Sequence, residues 1–169
     1  MAAFAELDWQ RFDVHALISG RGLATLDEVD VARCTAWLQR NGYRIVTLDF
    51  SQGIGDAVVR LGELLEWRDQ FGYDLTRESR GLDALRDGFD FGPKDDEGVV
   101  LMLRAFDRAW SEDVRWSSGL LEIAAEQSLW QLACGRRFFA IIVASDLASL
   151  AGQPLETPVV PFPFHGKFR

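Results

Sequence analysis

The sequence has few of the residues that build metal centres, redox sites and catalytic triads. Its 169 residues include two cysteines, Cys34 and Cys134, and two histidines, His15 and His165. The cysteines lie far apart without a CxxC motif, so we expect two reduced, partly buried thiols and no disulfide. The histidines lie near opposite ends of the chain, where no local spacing supports a metal site or a histidine-based triad. We therefore expect no metal, no cofactor and no catalytic residue.

Long hydrophobic runs are also absent. No apolar run approaches the roughly 20 residues that span a bilayer, and the N-terminus lacks the basic start and apolar core of a signal peptide. We therefore expect a cytoplasmic protein that does not bind membranes. The chain is nonetheless 48% hydrophobic, which is enough to bury a sizeable core.

Positive charge is in deficit. The 18 lysines and arginines are outnumbered by 26 aspartates and glutamates, which gives a formal net charge of −8. Most of this charge lies in residues 43–146, which hold 12 basic and 19 acidic side chains. Such a balance disfavours binding to nucleic acid or anionic lipid and predicts that a partner selected by charge is basic.

The middle of the chain, residues 43–146, alternates between β-rich runs and helical patterns. Three runs predict strands: Tyr43–Asp49, Val99–Leu103 and Arg137–Ala144. Helices are predicted after Asp56, over Gly81–Phe91 and over Trp116–Leu132, with an irregular segment over Arg68–Arg80. Strands separated by helices imply right-handed crossovers, so we expect an α/β domain with a small three-stranded parallel sheet.

Residues 1–42 are predicted to form an N-terminal helical extension to this domain. Thr25 and Glu28 have the spacing of a capping box, which predicts a helix over Leu26–Arg40. A shorter helix is expected over Leu7–Leu17. The positions expected to be buried in the longer helix are Ala32, Ala36 and Trp37.

The last segment, residues 147–169, is rich in proline and phenylalanine. It holds four of the five prolines, interleaved with three phenylalanines: Pro154, Pro158, Pro161, Phe162, Pro163, Phe164 and Phe168. Proline excludes a helix here, so we expect an extended tail. An ordered strap across its own domain is the preferred interpretation, and contact with a partner is the alternative.

A glycine-rich turn between the first predicted strand and its helix raises the question of nucleotide binding. Gly53 and Gly55 begin a GxGxxG-like pattern, but Val58 replaces its third glycine, and no Walker lysine follows. The carboxylate of Asp56 lies where the phosphate of a nucleotide would approach, and the two negative charges would repel each other. We therefore interpret the segment as an ordinary strand-to-helix turn, and we find no nucleic-acid signature elsewhere.

The helix predicted over Gly81–Phe91 is the most informative segment. At about 100° per residue, its apolar positions share one side, while Asp83, Asp87 and Asp90 share another. Arg86 is spaced to relieve part of the repulsion among these carboxylates. A solvated helix face is the simpler interpretation of the charges alone, and a surface for a cationic partner is the functional one. A catalytic or metal-binding role for these carboxylates is disfavoured, because no histidine and no further acidic motif accompanies them at ligand spacing.

This helix also carries the most specific motif of the chain, Leu82-Asp83-Ala84-Leu85-Arg86-Asp87. The motif follows the strand that ends in Leu48-Asp49, and it precedes three further segments: Val99–Leu103 with Arg104-Ala105-Phe106-Asp107, Leu120-Leu121-Glu122-Ile123, and Arg136-Arg137-Phe138-Phe139. In this order the elements resemble the barstar family, the intracellular inhibitors of barnase-type ribonucleases. The family's Asn-Leu-Asp-Ala-Leu-x-Asp pattern is matched except that Gly81 replaces the asparagine. The resemblance covers about Tyr43–Asp146.

The resemblance implies a three-stranded parallel sheet and inhibition of a basic nuclease by occlusion of its active site, with carboxylates in place of substrate phosphates. Asp83 and Asp87 would be the central contacts, and Glu126 on the later helix an outlying one. The family's aromatic-glycine segment corresponds to Phe71-Gly72, relative to which Tyr73–Arg80 is an insertion. Arg86 stands where the family often has an aromatic residue. The partner-binding residues that we expect are Asp83, Asp87, Arg86, Asp90, Glu126, Phe71, Gly72 and Tyr73.

These observations lead to three functional hypotheses. The leading one is a cytoplasmic inhibitor that binds a basic ribonuclease or related toxin with its acidic helix. The alternative is a barstar-fold interaction module that has lost nuclease inhibition and uses the acidic helix, the extra loop or the aromatic tail for another protein contact. An enzyme is the third and weakest hypothesis.

Overall fold

Strands and helices alternate along the chain in the computed structural model, which describes residues 11–76, 81–91, 97–145 and 159–162. The strands are β1 (Leu23–Asp27), β2 (Tyr43–Asp49), β3 (Gly98–Arg104), β4 (Phe138–Ala144) and β5 (Val160–Pro161). The helices are α1 (Phe12–Ser19), α2 (Val31–Arg40), α3 (Ile54–Leu64), α4 (Trp67–Phe71), α5 (Leu82–Gly88), α6 (Phe106–Glu112) and α7 (Val114–Ala133).

The five strands form one parallel sheet in the order β2-β3-β4-β1-β5. The α/β class predicted from the sequence is confirmed, and the three predicted strands correspond to β2, β3 and β4. The sheet has five strands rather than three, because β1 and β5 extend it beyond β4. Every residue of β4 is buried, as expected for a parallel strand that is covered on both faces.

Helices cover the two faces of the sheet unequally. Successive residues of a strand point to opposite faces, and the core is accordingly divided into two apolar clusters. One cluster joins the sheet to the five helices from α3 to α7. The other joins it to α1, α2 and Phe162 of the tail. The acidic helix predicted from the sequence, α5, therefore belongs to the more thickly covered face.

The N-terminal region contains a strand that was not predicted. Thr25 and Leu26 lie in β1, which pairs with β4 along its full length. The predicted capping box and helix start are therefore wrong, since a 3-10 turn follows β1 and α2 begins only at Val31. The N-cap residue of α2, Asp30, makes no side-chain cap hydrogen bond. Burial of β1 against β4 outweighs the local capping preference of the sequence.

The buried side of α2 also differs from the prediction. Cys34 and Leu38 are buried, whereas Ala32 and Ala36 are exposed and Trp37 is only partly buried. The helix packs against β2, and this tertiary contact decides which of its sides faces the core.

The remaining helices agree with the sequence in type more than in extent. The helix α1 overlaps the one predicted over Leu7–Leu17, whose first residues lie outside the described part of the chain. The helix α5 ends at Gly88, before the predicted end at Phe91. The helix α4 lies in a segment predicted to be irregular, and α6 was not predicted; both are too short for a clear helical period. Within the described residues, no helix combines the length and apolar character needed to cross a bilayer.

The described part of the tail forms a strap across its own sheet. Val160 and Pro161 pair with β1, and the next residue, Phe162, is buried. The Phe162 ring stacks on Phe139 with 6.1 Å between ring centroids and meets Trp37 of α2 edge-on. The preferred interpretation of the tail is thus confirmed for residues 159–162, while its other residues lie outside the described part.

A buried carboxylate joins α1 to the amino ends of β2 and β4. Asp13 is fully buried and accepts hydrogen bonds from Arg11, at 2.8 and 3.0 Å, and from the Tyr43 hydroxyl. Arg137 lies 4.0 Å from the same carboxylate and stacks over the Tyr43 ring. Burial, reinforced by the charge of Asp13, raises the pKa of Tyr43 well above its ordinary value. Tyr43 therefore keeps its proton and remains a hydrogen-bond donor to Asp13.

Removing this carboxylate should destabilise the protein strongly. In Asp13→Ala the Tyr43 hydroxyl and the Arg11 guanidinium lose their common acceptor, and breaking a buried ion pair costs about 3 kcal/mol. The free energy of unfolding in denaturant is the measurement. Asp27→Ala, which removes an exposed carboxylate at the end of β1, is the control and should change it by less than about 0.5 kcal/mol. Equal effects of the two substitutions would contradict an anchoring role for Asp13.

The two cysteines are free thiols in different environments. Cys34 is buried in α2, whereas Cys134, just after α7, is exposed. The predicted absence of a disulfide is confirmed, but the description "partly buried" fits neither thiol. Burial, reinforced by the charge of Asp30, raises the pKa of Cys34 to about 12.

A disulfide reagent should therefore modify one thiol of the native protein and two of the unfolded protein. The reactive species is the thiolate, and with its pKa at about 12 Cys34 remains protonated at neutral and mildly alkaline pH. The number of thiols titrated before and after denaturation is the measurement. Cys134→Ser should leave the native protein without a fast-reacting thiol. Fast reaction in that variant would show that Cys34 is accessible.

Candidate protein-interaction surface

The rotation of α5 is fixed by close contacts on two sides. On one side Leu82 lies so near Gly119 of α7 that a Cβ atom at Gly119 would overlap the side chain of Leu82. On the other side a Cβ at Gly88 would lie 2.5 Å from Cζ3 of Trp67 and 2.7 Å from Cε2 of Phe71. Leu85, between these two flanks, points into the core. The helix can approach its neighbours this closely because glycine has no side chain.

This rotation directs the predicted carboxylates outward. Asp83 and Asp87 lie one turn apart on the exposed side of α5, and among the described residues neither has a hydrogen-bond or ion-pair partner. Asp90 lies just beyond the end of the helix, is also exposed, and accepts a hydrogen bond of 3.4 Å from Nε2 of Gln131. We call Asp83, Asp87 and Asp90 the acidic face.

Arg86 does not pair with the acidic face as its spacing suggested. Its Nε atom forms an ion pair of 2.8 Å with Oε2 of Glu126 on α7, and both side chains are about half exposed. The structure thereby brings Glu126 next to α5, although 40 positions separate Arg86 and Glu126 in the sequence. Because the pair is internally neutral, the acidic face retains its negative charge.

An aromatic cluster lies on the opposite flank of α5. The Phe71 ring packs 4.4 Å from Trp67, measured between ring centroids, and Tyr73 lies about 6.2 Å from Trp67. Trp67 is buried, whereas Phe71 and Tyr73 are 39% and 47% exposed. Gly72 ends α4 with a φ of 78°, a left-handed conformation that suits glycine. The structure thus groups Phe71, Gly72 and Tyr73 beside the acidic helix.

A groove on the far side of Trp67 continues the negative surface. It has a volume of about 510 Å³ between α3, α4 and the segment that follows α4. Four carboxylates line it: Glu63, Glu66, Asp69 and Asp74. Two of them are paired with nearby arginines, Glu63 with Arg60 and Asp74 with Arg68. The groove therefore carries negative charge that these two arginines offset only in part.

One exposed residue was missed by sequence reasoning. Trp130 of α7 is 64% exposed, and its neighbour Leu129 is 47% exposed. Trp130 lies one turn after Glu126, so it borders the contact between α5 and α7. The only sequence signal was the spacing of Trp130 from Glu126, and this became informative once Glu126 was found beside Arg86.

The arrangement is suited to ion pairing with a cationic group of another molecule. Asp83 and Asp87 project from one exposed helix surface, where they can form ion pairs with another molecule. Across the described ranges, no group of three or more metal-ligating side chains comes together. In comparisons with known proteins, no family model and no curated protein sequence matches the chain.

Adding a methyl group at Gly88 should loosen the packing of α5. In Gly88→Ala the new Cβ would press on Trp67 and Phe71, and overpacking of this kind costs about 1–3 kcal/mol. Gly81→Ala is the matched control, because a Cβ at Gly81 meets no atom of the described residues within 4 Å and the backbone φ of −64° suits alanine. Unfolding in denaturant distinguishes the two variants. Similar stability for both would show that α5 is not held by the contact at Gly88.

Proposed function

We propose that this protein is a barstar-like inhibitor that binds a basic ribonuclease or related toxin through the acidic face and occludes its active site. The observation that carries the proposal is that Asp83 and Asp87 lie on a helix packed from both flanks and have no ion-pair partner among the residues that the structure describes. Carboxylates in fixed positions without cations of their own are suited to cations supplied by another molecule.

A nuclease active site is a suitable source of such cations. It binds the phosphates of its substrate with basic side chains, and a carboxylate can occupy the position of a phosphate oxygen. The net charge of −8 steers the protein toward a basic surface and away from the nucleic acid itself. The same charges therefore favour the enzyme over its substrate as the binding partner.

The rigidity of α5 supports tight binding. Because Leu82 and Gly88 are packed against α7 and α4, Asp83 and Asp87 lose little conformational freedom when a partner docks. Phe71 and Tyr73 supply exposed aromatic surface beside the charges, and aromatic residues are enriched in protein interfaces. Charge would set the rate of association, and packing would lengthen the lifetime of the complex.

Arg86 supports a second candidate function. A cation within the surface would repel a cationic nuclease, although its ion pair with Glu126 offsets that charge. An interaction module that has lost nuclease inhibition would keep the acidic face and use it to bind another basic protein. The two candidates share a binding surface and differ in whether an active site is blocked.

We also propose a cytoplasmic location. Cys34 and Cys134 are free thiols, which is typical of a reducing compartment. An inhibitor of this kind would protect the cell that produces the nuclease.

Inhibition of a guanyl-preferring, barnase-type ribonuclease tests the proposal. We expect stoichiometric inhibition that weakens as salt is added. In the double variant Asp83→Ala, Asp87→Ala, the inhibition constant should rise at least about 100-fold, because central interface residues typically contribute 2 kcal/mol or more each. Ribonuclease activity titrated against the inhibitor is the measurement.

A double variant with the same loss of charge is the control. Asp27→Ala, Glu28→Ala removes two exposed carboxylates, one at the end of β1 and one at the start of the turn that follows it, and should leave the inhibition constant within about threefold of wild type. If excess wild-type protein leaves the ribonuclease fully active, the inhibitor proposal is wrong. Binding without inhibition, lost in the Asp83, Asp87 variant, would favour the interaction module instead.

A further inference from the structure

Trp130 is unusual among the tryptophans that the structure describes. Trp67, Trp110 and Trp116 are buried, and Trp37 is partly buried under the tail. Trp130, by contrast, exposes 64% of its surface on α7 and has Leu129 exposed beside it. A large aromatic side chain that is mostly exposed to solvent marks a candidate contact surface.

The position of Trp130 links it to the acidic face. Glu126, one turn earlier on α7, forms the ion pair with Arg86 of α5. Gln131, the next residue on α7, donates its hydrogen bond to Asp90. Along α7, Trp130 therefore lies between Glu126, which contacts α5, and Gln131, which contacts the segment just after α5. The acidic face consequently has exposed aromatic groups on both flanks, with Phe71 and Tyr73 on one side and Trp130 on the other.

The charges around Trp130 decide what can cover it. Glu126 lies one turn before it on α7 with its charge offset by Arg86, Asp90 accepts a hydrogen bond from the residue that follows it, and the chain as a whole carries a net charge of −8. A second copy of the chain would bring more negative charge to this surface, which is unfavourable. A basic partner would bring the complementary charge. The apolar surface and the net negative charge together favour the partner of the acidic face as the occupant.

We propose that Trp130 is a second anchor of the partner-binding surface and that it receives an arginine side chain of the basic partner. A guanidinium group stacks well on the face of an indole ring and at the same time donates hydrogen bonds to a carboxylate. Glu126 offers such a carboxylate one turn away, with acceptor capacity beyond its bond to Arg86. The inference rests on the proposed function for the identity of the partner, but the preference for arginine can be measured separately.

Two probes test the inference: the barnase-type ribonuclease and an arginine-rich peptide, compared with a lysine-rich peptide of equal length. Wild-type protein should bind the arginine peptide more tightly than the lysine peptide. Trp130→Ala should weaken binding of both the ribonuclease and the arginine peptide by about tenfold or more and abolish the preference for arginine. Trp130→Phe should stay within about threefold of wild type for the ribonuclease. Leu129→Ala is the control for loss of apolar surface and should change either affinity by less than about threefold.

The rate of alkylation of Cys134 reports where the partner is bound, independently of how tightly it binds. Cys134 is exposed one turn after Trp130, while Cys34 is buried and its pKa is raised to about 12. A partner seated on Trp130 should slow alkylation of Cys134 in the complex. The double variant Asp83→Ala, Asp87→Ala should bind the ribonuclease too weakly for this protection. At a ribonuclease concentration that saturates the wild-type protein, Cys134 of the variant should be alkylated as fast as in the free protein.

The outcomes separate this inference from the proposed function. If Asp83→Ala, Asp87→Ala abolishes inhibition but Trp130→Ala changes neither the affinities nor the protection of Cys134, the Trp130 anchor is wrong and the inhibitor proposal stands. If the ribonuclease is not inhibited but the arginine peptide binds in a Trp130-dependent manner, the inhibitor proposal is wrong and the arginine site stands. If wild type binds neither probe, both are wrong.

Discussion

The need to cover β4 is the constraint on which the rest of the structure depends. All seven residues of β4 are buried, so the strand requires a neighbour at each edge and helices on each face. β3 covers one edge, and β1, from the N-terminal region, covers the other. On one face, α7 packs directly on β4 and in turn supports α5. The candidate surface on α5 is thus separated from β4 by α7, and its position depends on how α7 packs on β4.

The elements that could be predicted are those with a strong local pattern. Continuous apolar runs identified β3 and β4, and the spacing of the acidic and apolar residues identified the exposed side of α5. The strand β1 could not be found in this way, because its residue Thr25 forms a capping-box spacing with Glu28 just beyond the strand, and the segment becomes a strand only by pairing with β4. The helix α4 is only five residues long, so its aromatic side chains gave no helical period.

The candidate surface was predictable within α5 but not between helices. Helical spacing was sufficient to place Asp83 and Asp87 together and outward. The pairing of Arg86 with Glu126 depends on how α5 packs on α7, which the local sequence does not encode. The exposure of Trp130 is likewise a result of packing, since a tryptophan in a helix of mixed pattern is expected in the core as readily as on the surface.

The position of the acidic face and its attraction for cations depend on different interactions. The ion pair between Arg86 and Glu126 is about half exposed, and such pairs contribute no more than about 1 kcal/mol. The orientation of α5 therefore rests mainly on apolar packing at Leu82, Leu85 and Gly88, which salt does not screen. Attraction of a basic partner is, in contrast, an electrostatic effect that salt weakens. Added salt should consequently weaken the field of the acidic face while leaving the shape of the surface that carries it intact.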